Sequence, residues 1–149
     1  KHASIVPFEP FETLDGEIMI AAGNDNLWRT FCKVSGLEDL AVDPRFDTNP
    51  KRLEHYAILR PLIAAAVSKR TTAEWQIRLD EAGVPNGPIN TIEKVIENEQ
   101  VLAREMIVEV DHPVAGKLKM PGIPVKLSAT PGAIERPAPT LGQHTDEVL

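Results

Sequence analysis

The stretch Leu14-Asp15-Gly16-Glu17-Ile18-Met19-Ile20-Ala21-Ala22-Gly23-Asn24-Asp25-Asn26-Leu27-Trp28 holds a turn, a strand and a helix start in immediate succession. Asp15-Gly16 readily takes positive φ and makes the turn, and the apolar run that follows predicts a short strand over residues 17–22. Gly23 breaks that strand, and Asn24 or Asp25 caps the next helix. Leu27, Trp28, Phe31 and Cys32 fall on one stripe of that helix, and Gly36 stops it.

Working outward, Asn49-Pro50 is a cap followed by a proline suited to a first helical turn, opening a helical stretch to about Ser68. Pro61 lies inside it, so the pattern predicts two helices, the second beginning near Ala57 with Pro61 in or near its first turn. Thr71-Thr72-Ala73-Glu74 has the capping-box spacing, with Trp75, Leu79 and Ala82 on the inner face before Gly83. The turn-dense run Gly83-Val84-Pro85-Asn86-Gly87-Pro88 reads as a rigid connection. Asn90-Thr91-Ile92-Glu93 starts a short helix to about Glu97, and another turn or two covers residues 99–104. Residues 106–110 alternate as a strand, 112–116 turn, 117–120 pair back, and a third strand is expected over 124–127. Helices interspersed with short, hairpin-linked strands define an α+β class, not a parallel doubly wound sheet.

The 13 prolines make up about 9% of the chain against a usual ~5%, and six of them stand from Pro113 onward. Composition therefore suggests an α+β body over 1–127 and a Pro-rich extended strap over 128–149, stiff enough to cross a surface and return to another domain. The beginning at Lys1-His2-Ala3 and the end at Val148-Leu149 suggest a piece of something longer.

Charge and composition remove several functions. With 16 Lys+Arg against 22 Asp+Glu the formal charge is −6, and no basic cluster is present to track a phosphate backbone, so no nucleic-acid partner is expected. No run approaches the ~18 apolar residues of a membrane span, and no membrane association is expected. The single cysteine, Cys32, lies in an apolar-periodic stretch and reads as a buried structural thiol, so a reducing, cytoplasmic location is the default. The four histidines, His2, His55, His112 and His144, show no metal-ligand spacing, and no metal is expected. Glycine-rich nucleotide loops and the nucleophile-elbow pattern are lacking.

A longer pattern remains. His2-Ala3-Ser4-Ile5-Val6-Pro7-Phe8, Asp15-Gly16 and Ala21-Ala22-Gly23-Asn24-Asp25-Asn26-Leu27-Trp28 are followed by Asp43-Pro44-Arg45-Phe46-Asp47-Thr48-Asn49 and Ala82-Gly83-Val84-Pro85-Asn86-Gly87-Pro88-Ile89-Asn90. Then come His112-Pro113 with Gly116, Arg136-Pro137-Ala138-Pro139, and Leu141-Gly142-Gln143-His144-Thr145-Asp146. In this order the set resembles the second half of the class III CoA-transferase family, which also contains the α-methylacyl-CoA racemases, and it covers essentially the whole chain.

The resemblance implies interlocked homodimers, in which a small α+β domain is inserted into a large Rossmann-like one. It also implies coenzyme A, as acyl-CoA, and a carboxylic acid acceptor as substrates, with covalent catalysis by an aspartate upstream of Lys1. No catalytic residue is then expected here, and the chain alone should be inactive. His2, Ala3 and Ser4 lie where formyl-CoA transferases carry a glycine-rich loop over the reacting centre, although no glycine stands there in this chain. Asn24 and Asp25 are further substrate-binding candidates, since racemases place an acidic residue near that position. The racemase context around it is missing, which favours transfer. The His-Ala-Ser-Ile-Val-Pro opening resembles the succinyl-CoA-dependent dicarboxylate branch. Two alternatives stand beside a transferase fragment: a racemase fragment using proton abstraction, and a non-catalytic oligomerisation module.

Overall fold

A computed structural model describes all residues from Lys1 to Leu149. They form two compact units, Lys1–Ile89 and Asn90–Leu149. The division between these units falls between Ile89 and Asn90.

In the first unit β1 (Phe8–Glu12) and β2 (Glu17–Ala21) make an antiparallel hairpin with Phe8 opposite Ala21 and Glu12 opposite Glu17. The short β3 (Asn86–Pro88) runs antiparallel along the other edge of β2, giving the order β1-β2-β3. Alternation sends Ile18 and Ile20 of β2, and Glu9 and Phe11 of β1, to the buried face. Five helices accompany this sheet: α1 (Asp25–Ser35), α2 (Glu38–Val42), α3 (Asn49–Glu54), α4 (Tyr56–Val67) and α5 (Thr72–Glu81). Trp28, Phe31 and Cys32 of α1, Leu59, Ile63 and Val67 of α4, and Trp75 and Leu79 of α5 close one hydrophobic core with the sheet. The two indoles differ in their polar ends. Trp75 Nε1 donates to Val67 O at 2.7 Å, whereas the buried Trp28 Nε1 has no hydrogen-bond partner.

The caps follow the sequence closely. Asn24 Oδ1 accepts from the Asn26 and Leu27 amides, and Gly36 ends α1 at φ 70°. At α5, Thr71 and Glu74 form a reciprocal capping box. The Thr71 backbone N–H, first among its causes, holds the Glu74 carboxyl below the usual carboxylate range. The Asp15 turn is fastened to the same helix start, because Asp15 Oδ1 accepts from the Thr72 amide at 2.7 Å.

Four local expectations change. Asn49 is the first residue of α3 and its carboxamide bonds Val6 and Ser4 instead of capping the helix, while Thr48 stands at the cap position without a side-chain bond. Pro61 lies well inside α4, which begins at Tyr56. β1 and β3 are additional strands. Pro10 is tolerated in β1 because that strand is an edge.

The second unit holds α6 (Ile92–Ile96) and α7 (Glu99–Ala103), capped by Thr91 and Asn98, the antiparallel hairpin β4 (Ile107–His112) and β5 (Gly116–Pro121), and α8 (Thr145–Val148). Gly116 turns the hairpin at φ 73°. The Gly122 amide adds one last bond to Met106 O at 2.8 Å. The expected strand over 124–127 does not form: Pro124 has no amide hydrogen for a ladder, and residues 122–144 contain no helix or strand. No residue of this unit is buried.

Candidate functional site

The polar side chains of the first unit converge on the segment leading into β1. Arg52 of α3 is fully buried, an unusual place for a guanidinium, and its donors are well matched. Nε donates to Val6 O at 2.8 Å, Nη1 to Phe46 O at 2.9 Å and Nη2 to Asp25 Oδ1 at 2.8 Å. Its guanidinium also lies 5.2 Å from the centre of the Trp28 ring. One turn earlier on α3, the Asn49 side chain accepts from the Val6 amide at 3.0 Å and donates through Nδ2 to Ser4 O at 2.8 Å. The Asn49 backbone N–H closes the set by donating to Asp25 Oδ1 at 3.1 Å.

Upstream of this clamp the side chains of His2, Ala3 and Ser4 are exposed. His2 is nonetheless oriented: its amide donates to Phe8 O at 2.8 Å, its Nδ1 accepts from the Ser4 amide at 3.2 Å, and its ring lies 6° from parallel with Phe8 at 5.3 Å. With Nδ1 accepting, the neutral imidazole carries its proton on Nε2. Neither Nε2 nor Ser4 Oγ is bonded within the chain.

Among the residues singled out from sequence, Ser4 and Asp25 are thus joined through Asn49. Asn24 serves as the α1 cap, and Asp25, at the first helical position, is the partner of Arg52. Asn49 and Arg52 are the residues that sequence reasoning missed. An Asn beside a Pro reads as a cap, and an Arg on a short helix reads as solvated. Their spacing of three, which puts both on one face of α3, is the one signal available.

A second polar cluster lies beneath β1. Glu9, 5% exposed at its side chain, accepts from Tyr56 Oη at 2.8 Å and from Arg60 Nε at 3.0 Å through one oxygen. Burial, then the bond to Glu9, raises the Tyr56 phenol above its ordinary range.

Cys32 is buried, and desolvation pushes its thiol up to about 12, which makes it inert at neutral pH. No three His, Cys, Asp or Glu side chains come together as a metal site, and no helix is long and apolar enough to cross a membrane. The first unit is an α+β unit in which the buried Arg52 and the part-buried Asn49 and Asp25 hold the exposed segment ahead of β1.

Comparison with known proteins supplies the family. Residues 1–145 match CoA-transferase family III, and the chain belongs to it. It is 36% identical over 148 residues to the mouse protein named succinyl-CoA:glutarate CoA-transferase, covering 99% of this chain and 34% of that protein. It is 37% identical over 147 residues to the succinyl-CoA–D-citramalate CoA-transferase of Chloroflexus aurantiacus, covering 98% of this chain and 37% of the relative. The crystal structure of a CaiB/BaiF family protein from Brucella suis matches 99% of the chain and 38% of its own at 28% identity, with a TM-score of 0.84. The chain thus spans about a third of the curated relatives it matches.

Proposed function

We propose that these 149 residues are the small domain and returning strap of a class III enzyme that moves CoA from succinyl-CoA to a second carboxylic acid, giving succinate and the acceptor's CoA thioester. The observation that carries this is the match along nearly the whole chain to two relatives whose names pair succinyl-CoA with a dicarboxylic acid acceptor. The catalytic carboxylate lies upstream of Lys1. It attacks the thioester carbonyl and expels CoA thiolate, giving an aspartyl-acyl anhydride. The thiolate then attacks the aspartyl carbonyl and releases succinate. The acceptor carboxylate attacks the resulting aspartyl-CoA thioester, expelling CoA thiolate and forming a second anhydride. The thiolate attacks the acceptor carbonyl of that anhydride, giving the acceptor's CoA thioester and freeing the aspartate. Within this chain His2, Ala3 and Ser4 are the residues nearest substrate, with Asn24 and Asp25 beside them. The intact protein works as a homodimer in a reducing, cytoplasmic compartment.

The full-length enzyme should convert succinyl-CoA and glutarate or a similar dicarboxylate into succinate and a new CoA thioester, followed by chromatography. The 149-residue chain alone should give none. No exchange with any dicarboxylate by the intact protein would refute the transfer reaction, and deuterium uptake next to the thioester carbonyl in heavy water would establish a racemase instead. Transfer by the isolated chain would place the nucleophile here and overturn its upstream assignment.

A further inference from the structure

We propose that Asn49 and Arg52 are positioning residues of the transfer reaction, holding the backbone of Ser4–Val6 so that His2 Nε2 and Ser4 Oγ are presented to a substrate carboxylate. The proposal rests on the reading that this chain serves a CoA-transferase and that its first residues approach the substrate.

The segment bends at Ala3–Ser4 and again at Val6–Pro7, so its backbone groups are met by side chains and not by a neighbouring strand. Here the carbonyl of Ser4 and the amide of Val6 meet the two ends of a single Asn49 carboxamide, at 2.8 and 3.0 Å. Arg52 Nε then takes the carbonyl of Val6 at 2.8 Å. Asp25 Oδ1 fixes both helpers, accepting from Arg52 Nη2 and from the Asn49 backbone amide. Stability alone does not call for this arrangement, since burying a guanidinium is costly and an apolar residue of similar volume would pack there as well. What this set of side-chain partners adds is a defined place for a backbone that has no neighbouring strand. That backbone ends in two unbonded polar groups, an imidazole N–H and a hydroxyl, both suited to a carboxylate oxygen. Placement matters for such a contact, because a shift of about 1 Å at a reacting group costs on the order of a hundredfold in rate.

The test uses the full-length enzyme with Asn49→Asp, Asn49→Ala, Arg52→Lys and His2→Ala. Asn49→Asp keeps the acceptor for the Val6 amide and loses the donor to Ser4 O in nearly the same volume. Hydrogen exchange at the Val6 amide reports the clamp independently of activity, and it should quicken in Asn49→Ala and much less in Asn49→Asp. Both Asn49 variants, and His2→Ala, should lose at least tenfold in kcat/KM for the acceptor acid, while KM for the acyl-CoA and the melting temperature stay near wild type. Arg52→Lys, which retains a charge but not the three-way fork, should fall between wild type and Asn49→Ala. Unchanged acceptor kinetics in an Asn49 variant whose Val6 amide exchanges freely would overturn the positioning role, as would equal losses for donor and acceptor. A Val6 amide that exchanges no faster in Asn49→Ala would overturn the clamp itself. If wild type transfers no CoA, the functional reading fails first and takes this proposal with it; an active wild type with indifferent variants defeats the positioning role alone.

Discussion

The two units of this chain solve different problems with the same secondary-structure vocabulary. Lys1–Ile89 contains every buried residue, including two tryptophans and three phenylalanines, and even buries an arginine and a glutamate with partners in place. Asn90–Leu149 has well-capped short helices and a regular hairpin, yet none of its residues is buried, and Ile92, Val114, Leu141 and Val148 stand well exposed. Local signals are equally clear in both, so capping and turn chemistry do not distinguish them. What separates them is whether the apolar faces meet. A core of buried side chains exists in the first unit, whereas the second leaves its apolar side chains in contact with solvent.

The largest expected break in this contrast is Trp75→Ala. Trp75 is fully buried and hydrogen-bonded, and emptying such a site should cost about 3–5 kcal/mol. The same truncation at the half-exposed Leu118 of β5 should cost well under that, because its methyl groups already meet water. Denaturant midpoints of the two variants decide the matter. Equal shifts would mean that the second unit has a core of its own in solution.

Gly122→Ala probes the second unit in the opposite sense, by adding an atom. A Cβ there would lie 1.9 Å from Glu105 O, a backbone atom with no freedom to swing aside, and Glu105 itself already has φ 51°. Overpacking of this kind costs typically about 1–3 kcal/mol. The expected result is faster exchange of the Gly122 amide, whose bond to Met106 O closes the hairpin beyond Pro121. Unchanged exchange there would show that the hairpin end adjusts freely.

How much of this was legible in the sequence follows the same division between local and distant interactions. The α1 and α5 boundaries could be read, since Asn24, Gly36, Thr71, Glu74 and Gly83 act on their own neighbours. So could the β4–β5 hairpin, whose partners are joined by a short turn. β1 was hidden because Pro10 and two glutamates obscure its alternation, and β3 because three residues of Asn-Gly-Pro signal a turn until β2 lies beside them. The candidate site suffered most. Asp25 and Ser4 stand out through resemblance, but what unites them is Asn49 and Arg52, whose bonds to Asp25, Ser4 and Val6 span 24 to 46 residues of sequence. No periodicity reports a contact at that range.

A smaller loss is expected from Thr71→Ala. It removes the hydroxyl that accepts from the Glu74 amide and one half of the capping box, worth about 1 kcal/mol. Asn98→Ala at the cap of α7 should matter equally to its own helix, although α7 has no buried face through which to transmit the loss. Helicity and denaturant midpoint, measured together, sharpen the comparison: the midpoint should move for Thr71→Ala and hardly at all for Asn98→Ala. A shift of the midpoint by Asn98→Ala as large as by Thr71→Ala would place α7 within a cooperative core.

The subtlest effect is titrational and belongs to the first unit alone, where the one thiol lies. Cys32 ordinarily titrates at 9.0, and burial, the largest cause, raises it to about 12 in the fold. Folding therefore favours the protonated form. Below pH 9 the thiol is intact in both folded and unfolded chains, and its contribution to stability is fully present. Between about 9 and 12 the unfolded chain loses the proton while the folded one keeps it, so stability declines as pH rises through that window. The informative quantity is the difference between wild type and Cys32→Ala, which isolates the thiol from every other group. Wild type should lose stability more steeply above pH 9, with the two curves parallel below it. Parallel curves throughout would mean that water reaches Cys32 in the native state, and the core that distinguishes the first unit would be looser at α1 than its packing indicates.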